Sequence, residues 1–183
     1  IVLTLGAFVG RDYERGTAMA FSIGGLVMLF AQSFVSALRY GLLGTTWLFG
    51  AALAIGLGLG PVLSYYVAVN PDVVLESAAM TAVIVLGAAS VGTLTSKDLA
   101  RWMKPLSLIV FAAVLVSWGM LAFGAGGSPI VSIVIGPISA ALIIVDFNFL
   151  RRRATEDDII WLATGIFVSI VNIFLSLLNL NSD

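Results

Sequence analysis

Cysteine and histidine are both missing from these 183 residues, and only 10% of the chain is charged. Their absence rules out disulfides, nucleophilic thiols and a histidine proton relay, and removes the commonest metal ligands. It also leaves the redox compartment unread. The scarcity of charge excludes more. A soluble domain carries about 25% charged residues, whereas this chain is 60% hydrophobic, with a mean hydropathy of +1.11. That much apolar surface calls for a lipid bilayer as the partner. Nine Lys+Arg against ten Asp+Glu leave no basic excess with which to hold a nucleic acid.

What is present is a series of long apolar runs. Six of them, 17–38, 44–69, 73–94, 105–123, 129–150 and 159–180, can each cross a hydrocarbon core of about 30 Å. The opening stretch 1–10 is apolar but shorter than the roughly 20 residues a crossing needs. It reads as the end of a first helix incomplete in this sequence, with a mature terminus or a signal-peptide remnant as the alternatives. The expectation is an all-α membrane protein, a seven-helix bundle forming a single integral membrane domain over 1–183. The breaks carry turn chemistry: charged residues at Arg11–Gly16, Asn70-Pro71-Asp72, a basic loop at Ser96–Pro105, a bare hairpin at Gly124–Ser128 and a charged one at Arg151–Asp158.

Seven of the nine basic residues fall in the loops after the second, fourth and sixth helices: Arg39; Lys97, Arg101 and Lys104; Arg151, Arg152 and Arg153. Arg11 and Arg15 fall on the other side. The positive-inside rule then places the N-terminus inside and the C-terminus outside, and a bacterial cytoplasmic membrane is the expected location. Small residues crowd the third and fourth helices, including a Gly56/Gly60 pair at GxxxG spacing, as suits close helix approach in lipid. Pro61 and Pro137 fall inside spans, where each can kink its helix. Trp47, Trp102, Trp118, Trp161 and Tyr65-Tyr66 fall mainly near span ends and read as interfacial anchors.

Asp146 is the main functional candidate. It is a carboxylate inside an apolar run, where a charge costs roughly 2.5–3.5 kcal/mol at a helix centre. It precedes Arg151 by five residues, roughly 7.5 Å along a helix. It therefore reads either as an interfacial acid paired with Arg151 or Arg152, or as a buried gate; whether burial or a neighbouring arginine governs its proton is left open. Arg39, on the same side, reads either as a counter-charge for Asp146 or as an orientation signal. Ser169 and Asn172 lie three apart on the last helix, and Ser176 and Asn179 extend that polar stripe. It either hydrogen-bonds neighbouring helices or lines a polar path. Glu76 reads as a first-turn acid complementing its helix dipole or as a cation-capturing group at the outer mouth. No metal motif, paired intramembrane acids or activated nucleophile can be assembled, and Gly56–Gly60, in mid-membrane, offers no phosphate cradle. No enzyme activity or cofactor is expected.

Four segments resemble the Bax inhibitor family (YccA-like, transmembrane Bax-inhibitor-motif proteins). They are Val73-Val74-Leu75-Glu76-Ser77, Thr95-Ser96-Lys97-Asp98-Leu99, Leu142-Ile143-Ile144-Val145-Asp146 and, most specific, the last-helix segment 166–178 reading IFVSIVNIFLSLL. The resemblance spans most of the chain and implies seven helices with the last one central, wrapped by six. It also implies a passive cation leak, chiefly for calcium, or a regulatory role in membrane stress and protease control. Asp146 matches the family's sixth-helix aspartate of a pH-sensing pair, but its partner position is Ser169, and serine cannot share a proton as a second acid does. Asp146-Phe147-Asn148 stands where the family usually has Asp followed by a polar pair, and Arg39 aligns approximately with the family's arginine at the inner end of the second helix. Two functional expectations follow. One is a calcium leak gated near Asp146, with a transient cation there. The other is a non-conducting accessory protein that regulates a membrane protease or packs as a subunit of a larger membrane complex.

Overall fold

In lipid a backbone must satisfy its own hydrogen bonds, so long apolar runs become helices. The computed structural model describes residues 1–122 and 128–182, and all regular structure among them is helical. The helices are α1 (Val2–Val9), α2 (Arg15–Phe34), α3 (Gly41–Val69), α4 (Pro71–Leu94), α5 (Met103–Ala122), α6 (Pro129–Arg152) and α7 (Ile159–Asn181). Six helical segments, those of α2 to α7, are long and apolar enough to cross a membrane, and α1 is the short seventh helix. The chain is an integral, multi-pass membrane protein. The bare hairpin expected at Gly124–Ser128 lies, apart from Ser128, outside the described residues, as does the side chain of Trp118.

Observed helix limits differ from the hydropathy limits where side chains, not lipid, set them. The second run ends at Phe34 and not at residue 38, because Val35 turns extended and Ser36–Arg39 form a 3-10 turn. That break is capped from both sides: Arg39 Nε donates to the Gln32 carbonyl at 2.8 Å, and Gln32 Nε2 donates to the Leu38 carbonyl at 2.8 Å. Next, α3 starts at Gly41, whose φ of 63° is a conformation glycine adopts without penalty. Only Asn70 separates α3 from α4, since Pro71 fits the first helical position and keeps its predecessor out of the helical conformation. Both α3 and α6 continue unbroken through Pro61 and Pro137.

The sequence reads as one membrane domain; the contacts group into two compact units, Ile1–Val74 with Thr155–Thr164, and Leu75–Ala154 with Gly165–Asp183. Helix α7 supplies residues to both. In the first unit α1 packs on α3 glycine to glycine. A Cβ on Gly6 would lie 2.7 Å from the Leu53 carbonyl oxygen, and one on Gly60 would lie 2.5 Å from the carbonyl carbon of Gly10. Gly56 and Gly10 likewise abut the backbones of Leu3 and Leu57. Thus Gly56/Gly60 on α3 mates with a second GxxxG, Gly6 on α1 and Gly10 at its C-cap. Lipid is as apolar as leucine, so this association rests on dispersion at close range. Trp47, read as an interfacial anchor, reaches α2, its Nε1 donating to the Met28 carbonyl at 2.8 Å.

In the second unit Ala88 of α4, Ile143 of α6 and Ile173 of α7 form the core, with Ile84, Val85, Ala140, Ile144, Phe147, Ile170 and Leu177 packed around them. Helices α4 and α6 cross closely where Gly92 meets the backbone of Ile144.

Candidate functional site

Asp146 is 5% exposed and is the one charged residue among the buried, described side chains. It lies near the end of α6, two residues past the Gly92–Ile144 crossing. Across from it is α7: a Cβ on Gly165 would lie 3.2 Å from Asp146 Oδ2, so the carboxylate occupies room left by a missing side chain. Asp146 forms no ion pair among the described residues, where Arg11 pairs with Asp12 and Arg153 with Asp98.

Neither Arg151 nor Arg152, the neighbours weighed from the sequence, pairs with Asp146. Arg39 directs its guanidinium to the Gln32 and Ser33 carbonyls at the end of α2. Arg151 donates to the Thr93 carbonyl and Arg152 to the Ser96 carbonyl. A helix leaves its last carbonyls unsatisfied; Arg151 caps one at the end of α4, and Arg152 holds the first residues of the loop beyond it. Asn148, fully buried, completes the clasp. Its Nδ2 is shared among the carbonyls of Gly92 (3.2 Å), Thr95 (3.1 Å) and Lys97 (3.1 Å), while its Oδ1 accepts from the Leu99 N–H at 3.0 Å. Arg153 pairs with Asp98. The Asp98 carboxyl is held below its ordinary value, chiefly by the Ala100 N–H; desolvation opposes this, and the nearby Arg153 and Arg152 add to the lowering.

The polar stripe of α7 faces α6. Asn179 Nδ2 donates to Ser132 Oγ at 3.0 Å, and a Cβ on Gly136 would lie 3.3 Å from the Ser176 Cβ. With Gly165 opposite Asp146, these contacts fix an antiparallel register. Residues 132, 136, 139, 143 and 146 of α6 then run against 179, 176, 172, 169 and 165 of α7, an alternating spacing of four and three as in a coiled-coil seam. Ser169, 2% exposed, sits one seam step from Gly165, within the stretch that leads to Asp146. Asn172 sits a further step along.

Glu76 stands apart. Because α4 begins at Pro71, with Asp72 in its first turn, Glu76 is in the second turn and exposed. The Gly92 crossing near Asp146 is sixteen residues further on, about 24 Å along the helix. Glu76 therefore belongs to the opposite end of α4, where Asn181 reaches Ser77 Oγ at 3.3 Å.

Asp146, Ser169 and Asn172 are brought onto one seam, then; Glu76 stands at the opposite end of α4, and the Arg39 guanidinium is engaged at the end of α2. The sequence reading missed the α6 half of the seam, Ser132, Gly136 and Ser139, and the role of Asn148. The heptad spacing of small and polar residues on both helices was the available signal. The profile of the family described as "Inhibitor of apoptosis-promoting Bax1" (Bax1-I) matches residues 1–182. This chain belongs to the Bax inhibitor family.

Proposed function

We propose that this protein is a passive cation leak, calcium foremost, gated at Asp146. The observation that carries the reading is a buried carboxylate with no ion pair among the described residues, standing at one end of a polar seam between two membrane-spanning helices. When ionised, an acid left without a protein cation in that setting attracts a mobile one. Family membership supports the same reading. The pattern of basic loops supports an orientation with Asp146 toward the cytoplasmic side and Glu76 at the outer mouth. No covalent chemistry is assigned to the chain. Purified protein in calcium-loaded liposomes tests the proposal: wild type releases calcium and Asp146→Asn changes the rate. A silent wild type, or a variant with unchanged flux, defeats it.

Ser169 favours a second reading. With serine where a second acid would stand, the chain lacks a proton-sharing pair and fits an accessory protein that binds a membrane protease or a larger complex. Native electrophoresis after gentle extraction separates the two, since migration as a lone small protein counts against the accessory role.

A further inference from the structure

Two buried polar atoms among the described residues have no hydrogen-bond partner in the protein, Ser139 Oγ and Asn172 Nδ2. They belong to different helices, and the α6–α7 register sets them at the same level of the seam. Contacts on both sides of that level establish it: Gly136 against Ser176 on one side and Asp146 against Gly165 on the other. Ser139 has no exposed surface, so bulk solvent does not satisfy it.

Other hydroxyls in the spans resolve the same problem locally. Thr81, Ser90, Thr93 and Thr164 each donate to the carbonyl four residues earlier, the usual recourse of a helical hydroxyl. Ser139 does not. Asn172 presents an N–H that needs an acceptor, and Ser139 presents a hydroxyl that can both donate and accept. A cation would meet the wrong end of the amide, so the complementary occupant is neutral, small and dipolar, able to accept from Asn172 while bonding Ser139.

We propose that the α6–α7 seam holds an internal water molecule bridging Ser139 Oγ and Asn172 Nδ2. Buried waters in proteins sit at such paired deficits, typically making about three hydrogen bonds to groups otherwise unsatisfied. The site stands whether or not the protein conducts cations.

A density map of the detergent-solubilised full chain, at a resolution that shows ordered water, is the direct test. The expected result is a peak within hydrogen-bonding distance of both atoms. Thermal unfolding supplies a second reading that does not depend on transport. Ser139→Ala and Asn172→Leu should each lower the midpoint by about 2–4 °C, and the double variant should lose no more than the worse single one, because both members of the deficit are then gone. A map in which Ser139 bonds the Ile135 carbonyl or bonds Asn172 directly overturns the proposal, and so do additive losses in the double variant.

Discussion

Oδ2 of Asp146 lies 3.2 Å from the point where a Cβ would stand on Gly165. The one buried acid of the described structure is thus accommodated by a glycine on the facing helix. A methyl group there forces the carboxylate to shift by a few tenths of an ångström, while alanine improves helix propensity by about 1 kcal/mol. Gly165→Ala should therefore unfold within about 1 kcal/mol of wild type and still alter calcium flux several-fold in liposomes. Unchanged flux would separate the carboxylate's position from the gate.

The reciprocal glycine contacts of α1 and α3 predict an asymmetry among glycines. A side chain at Gly56 runs into the backbone of Leu3, which cannot give as a flexible side chain does. Gly56→Leu should cost about 3 kcal/mol or more. Gly87, with nothing within 4 Å of its added Cβ, should accept alanine with a gain of up to about 1 kcal/mol. Thermal unfolding in detergent compares the two.

Asn148 makes four hydrogen bonds to the end of α4 and the loop that follows. Interhelical hydrogen bonds in membranes average about 0.6 kcal/mol each, so Asn148→Leu should cost about 2 kcal/mol. The loss should be local, read as faster proteolysis in the 95–99 loop before any change in the α1–α3 unit.

Acid should release the same loop. Asp98 is held below its ordinary value of 3.8 by the Ala100 N–H and by Arg153. A carboxyl depressed in the fold contributes stability that is fully present above its unfolded value and lost as pH falls through the folded one. Amide exchange at Leu99 and Ala100 should stay slow through neutral and mildly acidic pH and accelerate only below that range. In Asp98→Asn the acid-dependent step should vanish, and exchange should be faster at neutral pH.

Serine at 169 cannot share a proton with Asp146 as a second acid would, and among the described residues no ion pair engages Asp146. Any pH dependence of calcium flux should follow one titrating group, and Asp146→Asn should abolish it. A steep two-proton transition in the liposome assay would place a second acid in the gate.

Much of this architecture was legible from residues alone, and the limits of that reading have a common cause. The spans could be drawn because hydropathy over about 20 residues reports the cost of leaving water, a local property. Their ends were read less well. Hydropathy carried the second run to residue 38, but Arg39 and Gln32 cap α2 at Phe34. Asp146 drew notice because a charge among apolar residues is conspicuous in one dimension. Arg151 and Arg152 looked like its partners because they are near in sequence, yet their donors go to carbonyls more than fifty residues earlier.

The amino-acid order by itself determined that this chain lives in a membrane, is built of helices and carries one acid at odds with its surroundings. Tertiary structure alone decided which helix faces meet: Gly6 and Gly10 on Gly56 and Gly60, Ser132 on Asn179, Gly165 on Asp146. The physical reason is that a span surrounded by lipid is largely apolar on every side, so recurring small and polar residues mark a face of a helix without saying which face it meets. Close approach of small residues and the matching of hydrogen-bond donors to acceptors select the face, and both become visible only when distant segments are set side by side.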